Sequence, residues 1–279
     1  MRARILAFAL AGAAAAGALG GCTTVRTTQG GAVGVDRSQA MLVSSAEVDK
    51  AASQEYAKTI AAARQKGLLD QDPAQVQRVR TIANRLIVQT GAFRKDAPGW
   101  EWDVHVITSN QLNAWCMPGG KMVVYTALIQ KLKLSDDELA AIMGHEIAHA
   151  LREHGRERVS QQMAANVVVG IASVALGTAG IGSGSSQLAS AVANVTYTLP
   201  NSRLHEQEAD RIGVELAARA GYDPRAAVSV WEKMAKAEGS GAPPQFLSTH
   251  PSAENRIKDL QVYAEKVMPL YEAAVRKRG

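Results

Sequence analysis

From residue 45 onward the hydrophobic positions follow two periods, and the points where the period changes mark the elements. Leu139, Ile142, Met143, Ile147 and Leu151 recur at three- and four-residue spacing within residues 135–155, the spacing of one buried helical face. Ser135 and Glu138 form a capping box, and Asp136 and Asp137 add negative charge where the helix dipole favours it. Upstream, Ser44 or Ser45 opens a helix that Gly67 stops. Pro73 opens another to about Thr90, with Val76, Val79, Ile82, Leu86 and Ile87 on its apolar face. Around residues 100–109 the period drops to two. Trp102, Val104 and Val106 alternate with Glu101, Asp103 and His105, a half-buried strand with His105 on its polar, surface side. An extended run over 110–117, a Pro118-Gly119-Gly120 turn and a strand at Lys121–Tyr125 complete a small sheet. A short helix over 126–133 leads to the capped helix, which could run on to Gln162. Ser202 caps a helix ending at Gly221, Asp223-Pro224 starts one through Ala237, and a last helix runs from Ser252 to about Arg276. The pattern predicts one mainly α (α+β) domain over residues 45–279, without repeats.

Two stretches break the pattern. Residues 159–202 contain no Asp, Glu, Lys, Arg or His. Residues 164–182 are nearly long enough to span a bilayer but poor in Leu, Ile and Phe, so an apolar cover or partner surface is expected over a transmembrane hairpin. At the start, Arg2 and Arg4 precede a short apolar run over residues 5–19 and then Leu19-Gly20-Gly21-Cys22, which resembles the lipobox of bacterial lipoproteins. Residues 1–21 are expected to be a signal peptide, Cys22 the lipidated residue and 22–44 a lipidated polar tether. Thr23 after Cys22 implies, by resemblance to proteobacterial sorting, the outer membrane. Composition adds limits: of 279 residues 47% are hydrophobic and 20% charged, enough for a sizeable core. The net charge of +5 includes Arg2 and Arg4, and +3 without them is too mild to argue for nucleic acid. With Cys22 lipidated, Cys116 is a single thiol and no intramolecular disulfide forms.

The capped helix carries His145-Glu146-Ile147-Ala148-His149. Residues four apart share a helical face, so the two imidazoles can converge on one ion, with Glu146 between them as general base. Two accidental surface histidines are the alternative, and the apolar surroundings argue against it. A catalytic zinc needs a third protein ligand and one open position. Glu206 is the candidate ligand. Asp210, on the same face, would fix the tautomer of a ligand histidine. Glu208 lies off that face and is expected in solvent, with His205 also pointing elsewhere.

His-Glu-Ile-Ala-His followed by His-Glu-Gln-Glu-Ala-Asp (Glu206 to Asp210) resembles the CAAX-prenyl-protease-type (Ste/HtpX-like) zinc metallopeptidase family, in its soluble periplasmic BepA- and LoiP-like lipoprotein branch. Asn113-Ala114, Pro118-Gly119-Gly120 and Thr249-His250-Pro251 also match, in family order, over about residues 47–260. Trp115-Cys116-Met117 departs from the family's aliphatic edge strand. The resemblance implies a zincin-type helical metalloprotease domain with a small β-sheet beside the His-Glu-x-x-His helix, and one Zn2+ per chain on His145, His149 and Glu206. It implies Glu146 as base and Asn113 and Ala114 as a substrate edge strand. It also brings His250 toward the zinc, either to stabilise an oxyanion or to block the open position. The expected function is a zinc endopeptidase degrading misfolded outer-membrane or periplasmic proteins, lipid-anchored in the periplasm at the inner face of the outer membrane, with outer-membrane assembly machinery as a partner. The alternative is an assembly factor or chaperone-like lipoprotein with a mostly latent site, gripping clients through residues 159–202. A structural lipoprotein with an incidental zinc would not need Glu146.

Overall fold

The structure, a computed structural model, describes residues 23–175, 185–238, 245–251 and 255–277. Helix α1 (Ser45–Gln65) begins at Ser44, whose hydroxyl accepts the Glu47 amide while the Glu47 side chain returns to the Ser44 amide. Helix α2 (Pro73–Gln89) starts on the Asp72 carboxylate. A three-stranded sheet follows, with β3 (Asp103–Ile107), β4 (Ala114–Met117) and β5 (Lys121–Tyr125) in the order β3-β5-β4. Strand β5 runs parallel to β3 and antiparallel to β4, which leaves β4 at the sheet edge. The β4–β5 turn needs Gly120 twice over. Its φ is 81°, and a Cβ there would lie 2.7 Å from the Trp102 ring.

Helix α3 (Thr126–Lys131) leads into α4 (Asp136–Leu151), which has the expected capping box and is buried along nearly its whole length. The helix does not run on to Gln162. Glu153 takes a φ of 51°, the chain turns, and α5 (His154–Ala175) starts as a separate helix. This corner buries Arg152, Glu153 and His154. Helices α6 (Ser185–Tyr197), α7 (Arg203–Arg219), α8 (Ala226–Glu238), α9 (Gln245–Thr249) and α10 (Arg256–Arg276) complete the described chain. Residues 252–254, where the last helix was expected to open, lie outside the described residues.

Helices α4 and α7 cross with their backbones in contact. A Cβ on Gly144 would lie 2.8 Å from Gly213 O, and one on Gly213 would lie 2.7 Å from His145 N. The main core forms around this crossing, from Leu139, Met143 and Ile147 of α4, Ile212 and Leu216 of α7, and Val106 and Val124 of the sheet. On the other face of the sheet, a second cluster joins α1 to Trp115, Val123 and the α6 residues Val192 and Val195. Tyr197 stands edge-on to Trp115 at 5.4 Å and meets Thr59 Oγ1 at 3.1 Å, so the described end of the uncharged stretch covers this flank. No described helix is long and apolar enough to cross a membrane.

The segment 23–44 departs from the expected tether. Strands β1 (Thr23–Val25) and β2 (Gln39–Met41) pair antiparallel, and the arm they frame is fastened to the domain. Arg37 reaches Glu157 and Glu208, Gln39 reaches the Arg152 carbonyl, and the Val33 amide reaches buried Glu215. A polar, glycine-containing sequence can thus be ordered by partners far along the chain. The expected signal peptide and Cys22 lie outside the described residues.

Candidate metal centre

Helix α4 presents His145 and His149 on one face, and the glycine crossing brings α7 close enough for Glu206 to meet them. His149 Nε2 lies 3.0 Å from His145 Nε2 and 3.3 Å from Glu206 Oε1, and His145 Nε2 lies 3.5 Å from Glu206 Oε2. His250, directly after α9, completes the group. Its Nδ1 is 3.0 Å from Glu206 Oε1 and 3.1 Å from His145 Nε2. One ligand atom from each of these four buried residues lies within 4.8 Å of all the others.

The donor set fits a divalent ion. Burial drives the His149 pKa well below its ordinary value, which leaves a neutral imidazole with a lone pair to offer. Burial opposes ionisation of Glu206, but His250, His145 and His149 outweigh it and hold its carboxyl well below the usual range. Glu146 is tuned the other way. Burial raises its pKa despite His250 and His145 nearby, and its Oε1 is buried without a hydrogen-bond partner. A carboxylate in such surroundings is a stronger base than one in water. His250 is pushed up: its burial works against the charge, while Glu206 and Glu146 favour it more.

The supporting contacts include residues that the sequence pattern did not single out. Asp210 Oδ1 meets His145 Nδ1 at 2.9 Å, the place expected for it. Arg256, at the start of α10, binds Asp210 Oδ1 at 2.7 Å and approaches Glu206 Oε2 at 2.8 Å. No local spacing marks Arg256, which is separated from α7 by α8 and α9. Glu208 is corrected from solvated to buried, held by Arg37, Arg152 and His154. His205 does point elsewhere, with Nε2 3.2 Å from Glu157 Oε2. His105 is not a free surface histidine: it is half-buried, with Nδ1 2.6 Å from Asp70 Oδ2, away from the site. Asn113, Ala114, Trp115 and Cys116 line the same narrow cleft as Glu146, His149 and His250. The Cys116 amide also faces the Glu146 carboxylate.

Two imidazoles and a glutamate that could share a metal ion, with a buried carboxylate beside an edge strand, make a peptidase-like centre, and the chain matches peptidase family M48 over residues 73–264. It belongs to that family. At this level the resemblance read from the two motifs holds, as do the helix-rich metalloprotease fold and the classification as an enzyme.

Among curated M48-type relatives, the mitochondrial metalloendopeptidase OMA1 of Schizosaccharomyces pombe is 38% identical over 162 residues, covering 58% of this chain and 46% of the relative. OMA1 of Arabidopsis thaliana is 38% identical over 184 residues, 65% and 36% of the two chains. The β-barrel assembly-enhancing protease of Escherichia coli strain K12 is 31% identical over 206 residues, 71% and 41%. The chain thus spans less than half the length of each of these relatives. They correct the expected location. The sequence predicts a lipid-anchored periplasmic protein, whereas the relatives at 38% identity are mitochondrial and the bacterial protease matches at 31%.

Proposed function

We propose that the chain is a zinc-dependent endopeptidase that cuts extended segments of unfolded or misfolded proteins. His145, His149 and Glu206 hold one ion, and Glu146 is the general base. The observation that carries this reading is the meeting of those three ligand atoms beside the buried Oε1 of Glu146, which accepts no hydrogen bond and lies 3.4 Å from His250 Nε2. Zinc in such a site supplies a Lewis acid that acidifies water and polarises a peptide carbonyl. Glu146 takes a proton from the attacking water at its carboxylate and returns it to the leaving amine. Asp210, held by Arg256, keeps the His145 proton on Nδ1 so that Nε2 faces the ion. The substrate adds to the outer edge of β4 as an extended strand, with Asn113 and Ala114 beside the scissile bond, a role supported by the position of β4 at the sheet edge in the same cleft. Misfolded membrane proteins are the proposed substrate class, supported by the β-barrel assembly named in the bacterial relatives.

The test is cleavage of casein by the full chain and by Glu146→Gln, with zinc measured in both. The expected result is a loss of about 10²–10⁴-fold in kcat with zinc still near one per chain. Unchanged cleavage by the variant, or a wild-type chain without zinc, would sink the reading.

A second reading is favoured by His250. Its ring sits among the ligands, where it would fill the position that a water needs. We propose that the resting site is blocked by His250 and opens when α9 moves. An assembly-factor role with a mostly latent protease fits the same arrangement.

A further inference from the structure

The two ligand histidines are secured differently at their far nitrogens. His145 Nδ1 meets a carboxylate, that of Asp210. His149 Nδ1 instead lies 2.9 Å from another ring nitrogen, His154 Nδ1. Only one proton fits between two nitrogens at that distance, so one ring donates and the other accepts. For His149 to offer a lone pair at Nε2, where it faces His145 and Glu206, its proton must sit on Nδ1. His154 then accepts at Nδ1 and carries its own proton on Nε2. That nitrogen lies 2.9 Å from Glu208 Oε2, and an ionised carboxylate can only accept.

Two arginines donate to the Glu208 carboxylate from two directions, so its oxygens serve as acceptors. Arg152 Nη2 reaches its Oε2 at 3.1 Å, and Arg37 Nε of the amino-terminal arm reaches its Oε1 at 2.8 Å. The opposite tautomer of His154 would set a lone pair against that carboxylate and two N–H groups against each other, all in a buried place. His205 fixes the plane of the ring by stacking on it, with centroids 4.3 Å apart and planes 18° from parallel.

We propose that His154 is the positioning residue of His149. In this arrangement Glu208, clamped by Arg152 and Arg37, orients His154, and His154 holds His149 in the tautomer that presents Nε2 to the ion. The arm over residues 23–41 thereby supports the metal centre, although it contributes no ligand. The inference rests on the zinc reading above and concerns tautomer and ring placement, the levers by which groups behind a ligand tune metal affinity.

The experiment uses the full chain. Long-range 1H–15N NMR of the zinc-loaded protein reads the imidazole tautomers, and chelator competition at fixed pH gives the zinc Kd of wild type, His154→Phe, His154→Asn and Arg37→Ala. His154 is expected as the Nε2–H form and His149 as the Nδ1–H form. His154→Phe should weaken zinc binding about 10–100-fold, the usual cost of losing such a partner. His154→Asn, whose amide can accept from His149 and donate to Glu208, should recover most of that loss, and Arg37→Ala should weaken binding by a smaller factor. A folded His154→Phe chain with the wild-type Kd overturns the proposal. So does a wild-type His154 protonated on Nδ1, and this readout decides the matter if the Phe variant fails to fold. A wild-type chain that binds no zinc would overturn the zinc reading itself, a different result from wild-type affinity in the His154 variant.

Discussion

Single residues in the cleft owe their chemistry to burial more than to identity. Cys116 lies two residues from the hairpin turn with its thiol pushed well above the ordinary value by burial and then by the Glu146 charge. The thiolate is the reactive form, so this cysteine should be inert in the folded chain. Iodoacetamide at pH 8 is expected to leave Cys116 unmodified in the native protein and to label it once urea unfolds the chain, with peptide mapping to read that residue. Rapid labelling of Cys116 in the native chain would show that the cleft is open to solvent in a way the structure does not allow. His250 poses the sharper question, because the sequence reading left it two roles. A ring already among the ligands favours the blocking role. His250→Ala should therefore keep or raise casein turnover at saturating zinc. Collapse of kcat would assign His250 to the oxyanion instead.

At the level of elements, the site depends on how closely α4 and α7 approach. Gly144 and Gly213 put backbone against backbone, and either Cβ would enter at 2.7–2.8 Å from main-chain atoms that cannot rotate away. Gly144→Ala should cost about 1–3 kcal/mol by overpacking, with zinc binding weakened in parallel because His145 is the next residue. Urea unfolding of the metal-free protein together with the zinc Kd checks both. A stable variant with a weakened Kd would show that the crossing serves ligand placement more than folding. The helices themselves were legible. Ser135 and Glu138, Pro73, and the three- and four-residue spacing of Leu139, Ile142 and Met143 are local signals, and local signals survive in a single sequence. The meeting of His145, His149, Glu206 and Asp210 at one place was legible for the same reason, since each pair lies four apart on one helix. Glu208 was misread as solvated because its burial is set by Arg37, more than a hundred residues upstream, and by a corner at Glu153 that helical periodicity does not announce. Arg256 is a long-range partner of the same kind.

Across the whole molecule, an ionic layer joins the amino-terminal arm to α5 and α7, and acid should weaken it. Glu157 is at its centre, receiving Arg37 at 2.8 Å and Gln39 at 2.6 Å from the arm and His205 at 3.2 Å from α7. Burial tends to raise its pKa, but His205, Arg37 and Gln39 outweigh that and hold the carboxyl far below its ordinary value. A carboxyl with a depressed folded-state pKa contributes stability that is fully present above its unfolded value of about 4.3 and is lost as pH falls toward the folded value. Glu157→Gln removes that contribution. The variant should therefore be less stable than wild type at pH 7, by a gap that stays constant down to about pH 5 and narrows below about pH 4. Urea unfolding of both proteins at pH 7, 5, 4 and 3 measures the gap, and any acid loss of metal is common to the pair and cancels in the difference. A gap that did not narrow in acid would mean that Glu157 acts through shape and hydrogen bonding alone. If instead the gap closes while proteolysis by a chain lacking the arm's Arg37 also falls, the arm is coupled to the site through the same layer that holds Glu208, and the amino-terminal segment belongs to the enzyme's working structure.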